Sequence, residues 1–177
     1  GNGLVPVAMI HTGWKFNEND KYIGFKGGAA SASHGHMDAG SFVYESQGVR
    51  WSDDLKCPNY ATIENLTAKA GGSYWTMTQK SLRWDIFRIN NLRHSTLSFS
   101  NFDDSVSKLY ITDHNVSGKA TIANVYDDAA SPGMRMDLTA VFKGQAKSVF
   151  RTIRLEGDNL VITDEVTALE SADAKMM

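Results

Sequence analysis

One cysteine, Cys57, is all the thiol chemistry that the 177 residues offer. No disulfide can form within the chain, and the redox compartment stays open on this count. Proline is almost as scarce, with three residues against 15 glycines. That composition excludes a collagen-like chain and a Pro-rich disordered one. Neither sign of charge dominates: 18 Lys and Arg stand against 20 Asp and Glu, for a net charge of −2. With no global basic field, general nucleic-acid binding loses support, and a polyanionic ligand would need a local patch. No apolar run approaches the length of a membrane span. The sequence opens on Gly1 without an initiator Met or a signal peptide, and stops at Met177 just after a strand-like run. The expectation is one domain, 1–177, cut from a longer protein. A chain of this length buries roughly two-thirds of its unfolded surface, enough for a core without staples.

What is present is mostly strand-like alternation. Ser41–Glu45 and Val49–Asp53 flank Ser46, Gln47 and Gly48, a hairpin signal. Further strands are expected at Val5–Ile10, Lys21–Phe25, Trp84–Ile89, Thr96–Ser100, Lys108–Thr112, Ala120–Tyr126, Arg135–Phe142, Ser148–Leu155 and Leu160–Val166. Gly157, Asp158 and Asn159 form the turn between the last two. Many short strands joined by polar turns predict an all-β fold, an antiparallel β-sandwich. One helical stretch, Thr62–Lys69, stops at the breaker pair Gly71 and Gly72. Met134, Met136 and Leu138 alternate with Arg135, Asp137 and Thr139, which predicts a half-buried strand.

The densest polar cluster runs from Gly27 to Gly40 and carries His34, His36 and Asp38 among small residues. His-x-His in an extended segment puts both rings on one side, and a divalent metal can use one or both. Such loops also serve simply to satisfy turns. The hairpin that follows predicts Tyr44 opposite Trp51, Glu45 opposite Arg50 and Ser41 opposite Asp54. That register returns Asp54 to the start of the strand after the histidine loop, within reach of His36, and turns Asp53 to the apolar face. His94 sits where a loop enters a strand. Two histidines and a carboxylate, with a position left for water, suit Zn²⁺. His11 and His114 have no evident partners and read as structural.

Three separated motifs resemble the C-terminal part of heparinase II/III-type polysaccharide lyases. They are His34, Gly35, His36, Asp38, Ser41 and Phe42; then Gly48, Trp51, Asp54 and Leu55; then His94, Thr96 and Leu97. The family pattern is His-Gly-His-x-Asp-x-x-Ser-Phe, Gly-x-x-Trp-x-x-Asp-Leu and His-Asn-Thr-Leu. Ser95 stands where that pattern has Asn. The resemblance implies a sandwich of the super-sandwich type whose N-terminal α/α toroid lies outside this chain. It implies Zn²⁺ held by His36, Asp54 and His94, with His34 facing the substrate cleft. It further implies a periplasmic or secreted lyase that β-eliminates uronic-acid polysaccharides, heparin/heparan-sulfate-like or alginate-like. The partners implied are that acidic polysaccharide and the toroid, without which the chain is expected to be inactive.

Of three arginines near His94, namely Arg83, Arg88 and Arg93, Arg88 is favoured for binding substrate carboxylate or sulfate. The others read as solvated strand charges. Tyr74 reads as packing against Trp75, and the sequons at Asn65 and Asn115 as chance matches. Two other function classes remain. One is a noncatalytic carbohydrate-binding sandwich with Trp14, Trp75 and Trp84 as sugar platforms. The other is a structural domain with a Zn²⁺ staple. His34 next to His36 favours the lyase, because a staple needs only one histidine there.

Overall fold

The computed structural model describes residues 3–15, 17–103, 105 and 108–170. The chain ends at Gly1 and Met177 lie outside them. Antiparallel strands dominate. One sheet has the order β1 (Val7–His11), β2 (Tyr22–Lys26), β3 (Phe42–Ser46), β4 (Val49–Ser52). A small pair joins β5 (Phe99–Asp103) to β6 (Lys108–Thr112). A second four-stranded sheet comprises β7 (Thr121–Tyr126), β8 (Gly133–Asp137), β9 (Ser148–Glu156) and β10 (Asn159–Thr167), in that spatial order.

The two large sheets share one core. Ile23 and Phe25 from β2 meet Met134, Met136, Val149, Ile153 and Leu155 from β8 and β9, with Leu138 and Phe142 between them. Each such side chain, fully buried, contributes about 1.5–3 kcal/mol. Along β9 the inward positions are Val149, Arg151, Ile153 and Leu155. Arg151 is therefore a charged residue in an apolar row. Met134, Met136 and Leu138 point inward as their alternation predicts.

Three expected strands differ. Trp84–Ile89 is no strand: Leu82–Asp85 forms a 3₁₀ turn and Ile89 N–H bonds back to Ile86. Its apolar residues fill a second core instead, where Trp84 and Ile89 pack with Met37, Ile63 and Tyr74. The strand begun at Gly133 ends at Asp137, whose carboxylate accepts from Thr139 N–H at 2.8 Å and starts a turn. Leu138 then accepts from both Val141 and Phe142. Thr96–Ser100 becomes strand only from Phe99, because Asn91–Arg93 is a second 3₁₀ turn.

The helix, α1 (Tyr60–Lys69), starts two residues before its expected position. Asn59 caps it by accepting from Thr62 N–H at 3.2 Å. The hairpin pairs Ser46 with Val49 and Glu45 with Arg50, around Gln47 and Gly48 at positive φ. A bulge then opposes Tyr44 to Ser52, so the expected Tyr44–Trp51 pair does not form. Trp51 is exposed, and its Nε1–H donates to the Ser46 carbonyl.

Candidate metal centre

The histidine loop is fixed from below. Met37 is wholly buried in the second core and its N–H donates to the Ile89 carbonyl at 2.9 Å. Side-chain alternation about Met37 brings its neighbours His36 and Asp38 to one side. Arg83, which is fully buried, donates from Nη2 to the Gly35 carbonyl at 2.6 Å and from Nη1 to the Tyr74 carbonyl. The reading of Arg83 as a solvated strand charge is thus overturned: it is a clamp on the peptide between His34 and His36. Gly35 itself is cradled by backbone. A Cβ there would lie 2.4 Å from the Ala30 oxygen.

Three sequence-distant segments converge at this loop. The rings of His36 and His94 lie 5.5 Å apart, centre to centre. His94 Nδ1 is 2.6 Å from Asp54 Oδ2. A carboxylate only accepts, so Nδ1 carries the hydrogen and Nε2 presents its lone pair. That Nε2 is buried and has no hydrogen-bond partner among the described residues. His36, Asp38 and His94 each offer a ligand atom, all within 4.8 Å of one another. An orphaned, buried imidazole nitrogen beside a second imidazole and a carboxylate fits a divalent, nitrogen-accepting metal such as Zn²⁺.

Of the three residues expected to hold the metal, His36 and His94 come together; the carboxylate grouped with them is Asp38, and Asp54 reaches the site through His94 Nδ1. Asp54 stands behind His94, where a carboxylate would orient the ring toward a metal. Asp38 stands beside the free nitrogen, though Lys26 Nζ donates to its Oδ2. Asp38 and Asp54 line one cavity of about 220 Å³ between β1, β2 and β3. Burial pushes His36 down to about 4, assisted by His94, Lys26 and Arg83 and opposed by Asp38, so the ring is neutral at pH 7. The His94 hydrogen bond holds Asp54 below the usual carboxylate range. Asp53, expected on the apolar face, instead turns outward to Arg50 at 3.2 Å, because the bulge shifts the register.

A feature not apparent from the sequence is the role of Arg151. It forms a bidentate pair with Asp164 and donates from Nη1 to the carbonyls of Gly40 and Ser95. Gly40 ends the histidine loop and Ser95 follows His94, so one guanidinium from the second sheet ties both together. Its signal was a lone arginine at an inward position of an alternating strand, which looks like any other strand charge.

His34 is exposed and has φ of 59°, a left-handed conformation. Its Nδ1 lies 3.4 Å from the Tyr60 hydroxyl, and its ring meets Trp75 edge-on. Arg88 is exposed and donates to the Leu55 carbonyl at 3.0 Å, one residue past Asp54. Arg93 is exposed and lies over the Phe87 ring. His114 is buried, with Nε2 donating to the Leu97 carbonyl, and His11 stacks on Trp14. Among the described residues no helix is long and apolar enough to cross a membrane. No family model matches the chain, and no curated protein matches it.

Proposed function

We propose that this chain is the β-sandwich domain of a polysaccharide lyase acting on uronic-acid-containing polymers, completed by an α/α toroid from the same parent protein. The observation that carries this reading is the division of labour across Gly35. His36 turns inward to Asp38 and His94, while His34 turns outward beside Tyr60. A buried staple accounts for the inward histidine only.

β-Elimination removes the C5 proton of the uronate, forms the C4=C5 double bond and breaks the C4–O4 bond, with a proton delivered to O4. It needs a base, an acid and a group that neutralises the adjacent carboxylate. His34, exposed and with a hydroxyl in hydrogen-bond reach, serves as base or as donor to that carboxylate. Arg88, anchored at Leu55, is available to an acidic group of the polymer. His36, Asp38 and His94, with Asp54 behind, hold Zn²⁺. The metal supplies a cross-link between loops, and the residues around it keep His34 in place. A periplasmic or secreted location is supported by the motif resemblance to heparinase II/III-type lyases alone.

The test is unsaturated-product absorbance from the full-length parent on a panel of uronate polymers. His34→Ala is expected to cost several orders of magnitude in rate with metal content retained. An unchanged rate would leave a structural domain.

The second reading, a noncatalytic carbohydrate-binding sandwich, is favoured by the exposed indole of Trp75 and that of Trp14. Trp84 cannot serve as its platform, since it is buried and its Nε1–H donates to the Thr78 carbonyl.

A further inference from the structure

Next to His34 the surface is aromatic. Tyr60 and Trp75 are 42% and 45% exposed, with ring centres 5.6 Å apart. They come from different segments, Tyr60 from the first residue of α1 and Trp75 from the turn after Gly72. Both are held. Trp75 Nε1–H donates to Glu64 Oε1 at 2.8 Å, and its backbone N–H to Ser73 Oγ. Beneath them lies the buried Tyr74 ring, 4.8 Å from Trp75 and 5.7 Å from Tyr60. Beneath Tyr74, at 4.3 Å from its centre, lies the Arg83 guanidinium.

Two large aromatic side chains left half in water and packed against each other, one of them fixed by hydrogen bonds, are unusual outside a binding surface. Their core-facing support is complete, so no unfilled packing role explains the exposed faces. The C–H face of a pyranose ring is the apolar surface that such rings accept, and rings already fixed lose little entropy on binding. The charge beneath adds a sign. Arg83 is fully buried and donates to the carbonyls of Gly35 and Tyr74, and no carboxylate among the described residues pairs with it. An unmatched cation under the aromatic layer favours a sugar that carries a carboxylate or sulfate. Glu64 at the rim disfavours that acid on its own side, which leaves the side toward His34.

We propose that Trp75 and Tyr60 form a stacking subsite for an acidic pyranose ring, adjoining the ring that His34 addresses. This rests on the lyase reading for the polymer's identity. Its chemical class is set by the aromatic pair and Arg83.

The experiment uses the 177-residue chain with defined alginate and heparin oligosaccharides and with a neutral cello-oligosaccharide, followed by calorimetry. The acidic oligosaccharides should bind and the neutral one should bind more weakly. Trp75→Ala should weaken binding about tenfold or more, and Trp75→Phe should keep most of it. Val125→Ala, at an exposed position of β7, should change nothing. Circular dichroism and melting curves of each variant separate lost binding from lost folding, and Tyr60→Ala, which should also weaken binding, carries the test if Trp75→Ala unfolds. Equal binding by a folded Trp75→Ala overturns the subsite while leaving the lyase reading intact. Binding of no oligosaccharide at millimolar concentration also overturns it, and product formation by the parent then decides the lyase reading separately.

Discussion

Arg151 and Asp164 face each other across β9 and β10 with two parallel bonds, Nε to Oδ1 at 2.7 Å and Nη2 to Oδ2 at 2.8 Å. The remaining nitrogen, Nη1, reaches the Gly40 and Ser95 carbonyls at 2.9 and 2.7 Å. A lysine supplies the charge but not this fork. Arg151→Lys should therefore lower stability by about 1–3 kcal/mol, the range for leaving buried carbonyls such as that of Gly40 without their donor. It should also reduce bound metal without touching a ligand. Urea melts and elemental analysis check both, and unchanged metal content would separate Arg151 from the site.

Metal binding itself is expected at one Zn²⁺ per chain after purification without chelator. His36→Ala and His94→Ala should each abolish it. Asp38→Ala and Asp54→Ala distinguish the two carboxylates: a direct ligand should cost more than an orienting one, whose loss costs about 10–100-fold in affinity. Chelator at neutral pH should lower the melting temperature, since the metal binds the folded chain and not the unfolded one. Full zinc retention by His36→Ala would exclude this site.

Gly35 separates the two histidines for a steric reason. Gly35→Ala would place a methyl against the Ala30 and Ala32 oxygens, both backbone atoms with little room to yield. The loop should shift, with loss of metal affinity and a stability cost of about 1–3 kcal/mol. Zinc titration of this variant beside Gly71→Ala checks it. Gly71 has φ of 83° but nothing within 4 Å, so that control isolates backbone strain from crowding.

His114 gives the protein an acid limb. Burial holds its pKa at about 4 in the folded chain, against 6.5 when unfolded. Between those values the unfolded chain binds the extra proton, so stability falls as pH drops from about 6.5 toward 4, by about 3 kcal/mol in all. Above 6.5 both states are deprotonated and the dependence vanishes. His114→Gln should reduce the slope of this limb in denaturant melts taken across that range, leaving the part that the buried His36, also lowered to about 4, contributes. A slope unchanged in the variant would remove His114 from the account.

Sheet content was legible because it rests on local pattern; for the site, His36 and His94 were expected together, but the hairpin register meant to bring Asp54 to His36 is shifted by a bulge and Asp38 is the carboxylate grouped with them. Alternation marks β8 and β9, and a Gln47–Gly48 turn sets the first rungs of the hairpin. What followed was not. The bulge beyond Glu45 depends on Ser52 Oγ donating to the Phe42 carbonyl and meeting Ser95 Oγ, contacts that no sequence window contains. Trp84 and Ile89 read as a strand because apolar spacing does not distinguish a sheet from a second core. Arg83 and Arg151 were illegible for one shared reason. Each satisfies its charge or its donors with backbone carbonyls from distant segments, and carbonyls carry no sequence signature.

The bond from Arg151 to Gly40 spans 111 residues. During synthesis from the N-terminus, His34, His36, Asp54 and His94 all leave the ribosome well before Arg151 and Asp164. The nascent chain then carries histidines that nothing yet holds in register. Closing so long a loop is slow compared with forming the hairpins on either side of it. The last strands to be made are thus the ones that finish the site made first.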